Sequence, residues 1–189
     1  TVAFLVNSLS SARLQNARDQ VTADALAQAK EALIGYAVKV PISASASSNQ
    51  PRPGDLPCPD TNNDGLQEGS SGNASGSTGQ SARLGRLPWK TLGLPDLRDA
   101  SGERLWYAVS NNFKYNTRNT TLLNSDTPGT ITVRDVNGII INNGCAAYSL
   151  PHCSTPTASD AAFGTGAVAV IFAPGEVLIR QGSSTVQDR

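Results

Sequence analysis

The first forty residues hold no proline and a single glycine, Gly35, whereas both residue types recur throughout the chain from Pro41 onward. A stretch this long without a breaker is a candidate for one continuous helix, and its periodicity supports that. Apolar residues at Leu5, Leu9, Ala12, Ala17 or Val21, Leu26, Ala29, Leu33 and Ala37 return at three- to five-residue steps. They form one stripe of an amphipathic helix, opposite Arg13, Arg18, Asp24, Gln28 and Glu31. At ~1.5 Å per residue such a helix is a rod ~55 Å long, more than one small domain can cover. Its C-terminal half is expected to pack on its own sheet. Its N-terminal half, apolar over residues 2–9, calls for a different partner. Residues 1–6 read as the tail of an apolar stretch; alone they fall far short of the ~20 residues that cross a bilayer, so a membrane segment, if the protein has one, is expected upstream.

Residues 41–189 have a different character. With 20 Ser, 15 Thr, 14 Asn, 17 Gly and 11 Pro in the whole chain, turns and loops are favoured, because these side chains bond to nearby backbone or tolerate unusual dihedrals. Fifteen basic residues against fifteen acidic ones leave no net charge, so nucleic acid is not expected as the main partner. Residues 41–82 read as a long irregular segment, and residues 103–113 as a short strand or helix carrying Trp106 and Tyr107. Two β-branched runs, 130–134 and 139–142, flank an Asn-Gly-containing turn and predict a hairpin. Residues 166–172 form the most apolar run and read as a central, buried strand; residues 177–180 suggest another. The expected fold is α+β: a long helix over residues 1–40, packed on a small antiparallel sheet with extended loops in a head of residues 41–189.

The most specific local motif is the Asp60, Asn62, Asp64, Gly65 spacing, followed by Leu66 and Glu68. It matches the first half of a calcium loop, in which oxygens at alternate positions converge on one hard cation and glycine permits the sharp turn. Asp60, Asn62, Asp64, the Leu66 carbonyl and Glu68 are the candidate Ca2+ ligands. Ser71 stands where such loops place a bidentate Glu, and a plain Asn-Asp-Gly turn accounts for the same residues. Of the three cysteines, Cys145 and Cys153 bracket a Pro-containing loop that a disulfide could close, with Cys58 pairing to either as the alternative. His152 is the sole histidine and has no nucleophile suitably spaced from it, so no catalytic residues are assigned and the chain is read as a non-enzyme. Trp89, Trp106 and Tyr107 are read as core anchors more readily than as a stacking surface.

Four segments add a resemblance: residues 22–38 (Thr-Ala-Asp-Ala-Leu-Ala-Gln-Ala-Lys-Glu-Ala-Leu-Ile-Gly-Tyr-Ala-Val), 52–65 (Arg-Pro-Gly-Asp-Leu-Pro-Cys-Pro-Asp-Thr-Asn-Asn-Asp-Gly), 85–99 (Gly-Arg-Leu-Pro-Trp-Lys-Thr-Leu-Gly-Leu-Pro-Asp-Leu-Arg-Asp) and 103–109 (Glu-Arg-Leu-Trp-Tyr-Ala-Val). Together with the layout of long helix, polar head and late cysteine pair, they resemble bacterial type IV pilins and the pseudopilins of type II secretion. The resemblance implies a structural filament subunit, a homo-oligomer or a partner of other pilin-like subunits through its N-terminal helix. It also implies residence in the inner membrane before assembly and in a periplasmic or extracellular filament afterwards. Leu5, Leu9, Ala12, Val21, Leu26 and Leu33 are then the candidate assembly residues, and calcium in the head is a frequent companion. The alternative is a membrane-anchored binding or adhesion module whose head takes a surface or polysaccharide ligand.

Overall fold

The computed structural model describes the backbone of residues 2–10 and, with side chains, residues 11–39, 52–68, 83–114, 123–124, 126–145 and 157–176. It is a mixed structure, one N-terminal helix with small antiparallel sheets, in keeping with an α+β reading. Helix α1 (Val2–Lys39) is followed by β1 (Leu84–Arg86), β2 (Trp106–Val109), β3 (Val133–Arg134), β4 (Ile140–Asn142) and β5 (Ala169–Phe172). The expected strand at 177–180 lies outside the described residues. No helix among the described residues is long and apolar enough to cross a membrane.

The helix forms where alanine, the best intrinsic helix former, is dense and breakers are absent. At its C-terminal end the Gly54 amide donates to the Ala37 carbonyl at 3.1 Å, satisfying one acceptor that the helix itself cannot. One seam of α1 is buried: Ala25, Ala29 and Leu33, each one turn after the last. The two alanines let the helix axis come close to the sheet, and Leu33 supplies the bulk, contributing roughly 1.5–3 kcal/mol when fully buried. Thr22 Oγ1 accepts from the Ala100 amide at 3.1 Å, fastening the upper end of this seam.

Strand order β1-β2-β5 is antiparallel throughout. Side chains alternate across it, as a period of two demands. Tyr107 and Val109 point inward with their cross-strand partners Ile171 and Ala169, and join Leu56, Leu87 and Leu105 in the core beneath α1. Tyr107 is fully buried; its hydroxyl donates to the Pro57 carbonyl at 3.1 Å, and burial pushes its pKa well above the usual phenol value. The run at 166–172 does contain a strand, but β5 sits beside β2 at the sheet edge among the described residues, half-buried instead of central. Its inward residues face α1 while Phe172 on the outer face is 39% exposed, and that one-sided cover is why an unbroken apolar run does not mark a central strand here. The hairpin is present as β3–β4, with a register irregularity at Val133/Arg134 and a turn closed by Asp135, whose carboxylate accepts from the Ile139 amide at 2.8 Å.

Two positions test this arrangement. Asp60 and Arg86 exchange both backbone hydrogen bonds, at 2.9 and 2.7 Å, across Gly85, and a Cβ on Gly85 would stand 2.5 Å from the Asp60 carbonyl oxygen. Gly85→Ala should therefore destabilise by ~1–3 kcal/mol through overpacking. Gly35, inside α1 with nothing within 4 Å of a built Cβ, should instead gain ~0.5–1 kcal/mol on replacement by Ala. Chemical denaturation of the two variants should shift the midpoint in opposite directions.

Asp160 links β4 to the turn at 157–160. One oxygen accepts from the Ile140 amide at 2.7 Å, and the other from the amide and hydroxyl of Thr157 at 2.8 and 2.7 Å. These donors, the Ile140 amide foremost, lower its pKa to about 2 from the ordinary 3.8. A depressed carboxylate pKa stabilises the fold above the unfolded value, and the gain is lost as pH falls through the folded one. Denaturation of the wild type and of Asp160→Asn should show their difference shrinking between roughly pH 5 and pH 2, with Asn the flatter of the two.

Candidate functional site

The calcium-like segment is a compact loop held by its own carboxylates. Asp60 is buried, and its Oδ1 and Oδ2 accept from the Asn63 amide at 2.6 Å and the Gly65 amide at 2.8 Å. Asn62 and Asp64 each accept from the amide two residues on, at 3.0 and 2.7 Å, as Asx turns do. Glu68 reaches back to the amides of Thr61 and Asn62, both at 3.1 Å. Asn63 and Gly65 take positive φ of 68° and 85°, the conformation that Asn and Gly tolerate best. Gly65 is also packed flat on Trp89: a Cβ there would lie 2.6 Å from the indole nitrogen.

Two basic side chains close over the loop from outside. Lys90 Nζ donates to the Asp64 carbonyl at 2.5 Å, and one Arg104 nitrogen donates to the Asn63 carbonyl at 3.0 Å and to its side-chain oxygen at 2.5 Å. The same two cations flank the Trp89 ring, at 5.1 and 5.9 Å from its centroid. Arg104 in turn grips Asp96 through two nitrogens at 2.8 and 3.1 Å. That contact, aided by Arg98 and opposed by burial, holds the Asp96 carboxyl below the usual range. The oxygens of the loop thus face backbone amides on the inside and two cationic groups on the outside.

Among the described residues no three His, Cys, Asp or Glu side chains gather as a metal site needs. Leu66 and Asp64 are exposed, Asp60 points inward, and Ser71 lies outside the described residues. As placed, these oxygens hold the turn through backbone amides, and Lys90 and Arg104 bond to the Asp64 and Asn63 carbonyls beside them. Sequence reading overlooked those two residues. The signal available for Lys90 was its position directly after Trp89, and for Arg104 the strand alternation that sends it to the same outer face as Trp106.

That alternation also separates the aromatics. Tyr107 is a core anchor, but Trp106 faces out, stacked on Phe172 with centroids 6.2 Å apart and planes at 23°, and with the Arg86 guanidinium 5.6 Å from its centroid. Cys145 is disulfide-bonded, while Cys58 is buried and takes no part in a disulfide; Cys153 lies outside the described residues.

The candidate assembly residues divide along α1. Leu33 is buried and Leu26 half-buried against the head of the same chain. Ala12 and Val21 are exposed, as is every residue from 11 to 21, and Leu5 and Leu9 belong to the part described by backbone only. Leu14 and Val21 are 67% and 53% exposed. No protein-family model, curated protein or solved structure matches this chain.

If Lys90 and Arg104 hold the loop, Lys90→Ala combined with Arg104→Ala should lower the melting temperature by several degrees, the equivalent of ~1–3 kcal/mol. Calcium added to the wild type, or chelator in its place, should leave the melting curve unmoved. A calcium-dependent rise in melting temperature would instead make the loop a cation site.

Proposed function

We propose that the chain is a structural subunit of a pilus-like or secretion-pseudopilus-like filament, assembled through its N-terminal helix with the head turned to solvent. The observation that carries this reading is the division of α1. The seam over residues 25–37 is occupied by the chain's own head, whereas every residue from 11 to 21 is exposed, Leu14 and Val21 included. That stretch meets the head through the solvent-exposed ion pair of Arg18 with Glu176, which leaves its apolar residues uncovered. An apolar helical face that its own chain does not cover is the usual mark of a surface that another chain covers. By sequence the helix starts apolar over residues 2–9, and the resemblance to pilins implies that this part lies in the inner membrane before assembly and inside the filament afterwards. A two-state role results: anchored subunit first, then periplasmic or extracellular filament. No residue is assigned to catalysis. In the competing reading, an anchored binding head, the exposed helix would be a stalk with no need of neighbours.

Removal of residues 11–21 separates the two. These residues make about three turns, so the deletion shortens the rod with little rotation of one remaining part against the other. In the full-length protein, expressed with its own export machinery, the head should keep its thermal melt while electron microscopy shows loss of filaments carrying it. The head of the wild type should label filaments along their length. Wild-type heads absent from every filament, or unchanged incorporation of the deletion, would overturn the reading.

A further inference from the structure

Beside the occupied seam of α1 lies an apolar groove of about 620 Å³. Its helix wall includes Leu26, Lys30, Ile34 and Val38, and its opposite wall includes Phe113 and Val168. Ile34 is 48% exposed and Val38 80% exposed. Among the described residues, Lys30 is the one charged side chain that lines it. The exposed half of the same helix carries Leu14, Ala17 and Val21 at i, i+3 and i+7, the spacing by which a helix inserts anchors into a groove. Asp24 lies three residues after Val21 on that side, exposed, with its Oδ1 accepting from Gln20 Nε2 at 2.7 Å and its second oxygen available to a cation.

A chain cannot fill its own groove with this stripe. Both lie on one continuous helix, and at 3.6 residues per turn Ile34 is rotated by about 200° from Leu14. We propose that the groove receives the residue 14–21 stripe of a second copy of this chain, with Asp24 of the incoming helix facing Lys30. Two different surfaces of the same molecule then form each contact, and such a heterologous pairing leaves a groove open at one end of every assembly and a stripe at the other. Repetition gives an open array, not a closed dimer. The inference rests on the filament reading for its setting and names the contact by which copies are added.

The test uses the 189-residue chain and two variants, Leu14→Asp in the stripe and Ile34→Asp in the groove, both at exposed positions and both checked for an unchanged melt. In sedimentation analysis the wild type should form a concentration-dependent series of oligomers. Each variant alone should remain monomeric, because each lacks one half of every contact. Their equimolar mixture should restore a single contact, giving a dimer that grows no further. Should either aspartate perturb the fold, Val21→Gln and Val38→Gln replace them with the same expected pattern. A mixture that stays monomeric, or an Ile34→Asp chain that assembles like the wild type, overturns the proposal. So does a wild type that stays monomeric at its highest soluble concentration. These outcomes leave the filament reading standing if wild-type heads are still found along filaments in the cell, and that reading falls only if they are absent.

Discussion

Everything else in the molecule depends on how closely α1 approaches the sheet. Ala25 and Ala29 make that distance short, and Leu33 fills the space that opens lower down, where Leu56 and Val109 complete the core. Small side chains matter because the sheet is small: three strands of three or four residues offer little area, so the helix must lie close to gain from dispersion and burial. β5 is the strand that α1 lies against, and the inward side of β2 continues the same core beside it. Leu105, Tyr107 and Val109 are all essentially solvent-free, and the remaining elements are arranged around them.

Polar groups then fix the loops that surround this core, and buried carboxylates do most of the fastening. Asp60 folds its loop, Asp55 accepts from the Arg52 amide and guanidinium, and Asp99 gathers the amides of Ser101, Glu103 and Gly175. An ionised carboxylate that accepts two or three amide hydrogen bonds replaces its lost hydration, which is how it can be buried at tolerable cost. Loops rich in Asn, Asp, Gly and Ser thus hold definite shapes with few apolar contacts. The salt bridge from Arg18 to Glu176, by contrast, is largely exposed at both ends and contributes little to stability.

Much of this was legible in the chain itself. The absence of proline over residues 1–40 marks α1 almost to the residue, and the two β-branched runs either side of the Asn-Gly-containing turn mark the hairpin. What periodicity could not reveal was which part of the stripe the chain keeps for itself, because Leu33 and Val21 look alike until the head occupies one of them. The edge position of β5 was hidden for a related reason: an apolar strand under a helix reads like one between two strands. The Asp-x-Asn-x-Asp-Gly spacing belongs to a pattern that turns and cation sites share. Only the folded loop shows that the Asp60 oxygens accept from the Asn63 and Gly65 amides while Lys90 and Arg104, far away in sequence, hold the Asp64 and Asn63 carbonyls. Trp106 and Tyr107 adjoin in the chain but lie on opposite faces of β2, one stacked in the open and one sealed in the core.

The continuity of α1 has a consequence for how its exposed half comes to exist at all. An isolated helix of that length in water is marginal, because its first turn must be ordered before any hydrogen bond rewards it. Here the first turn is supplied: residues 25–33 are held helical by the head, and the exposed residues add to an end already formed. Each needs only the small increment of propagation beyond the seam. The head thus acts as a permanent nucleus, and the rod stays ready in helical form before anything binds it.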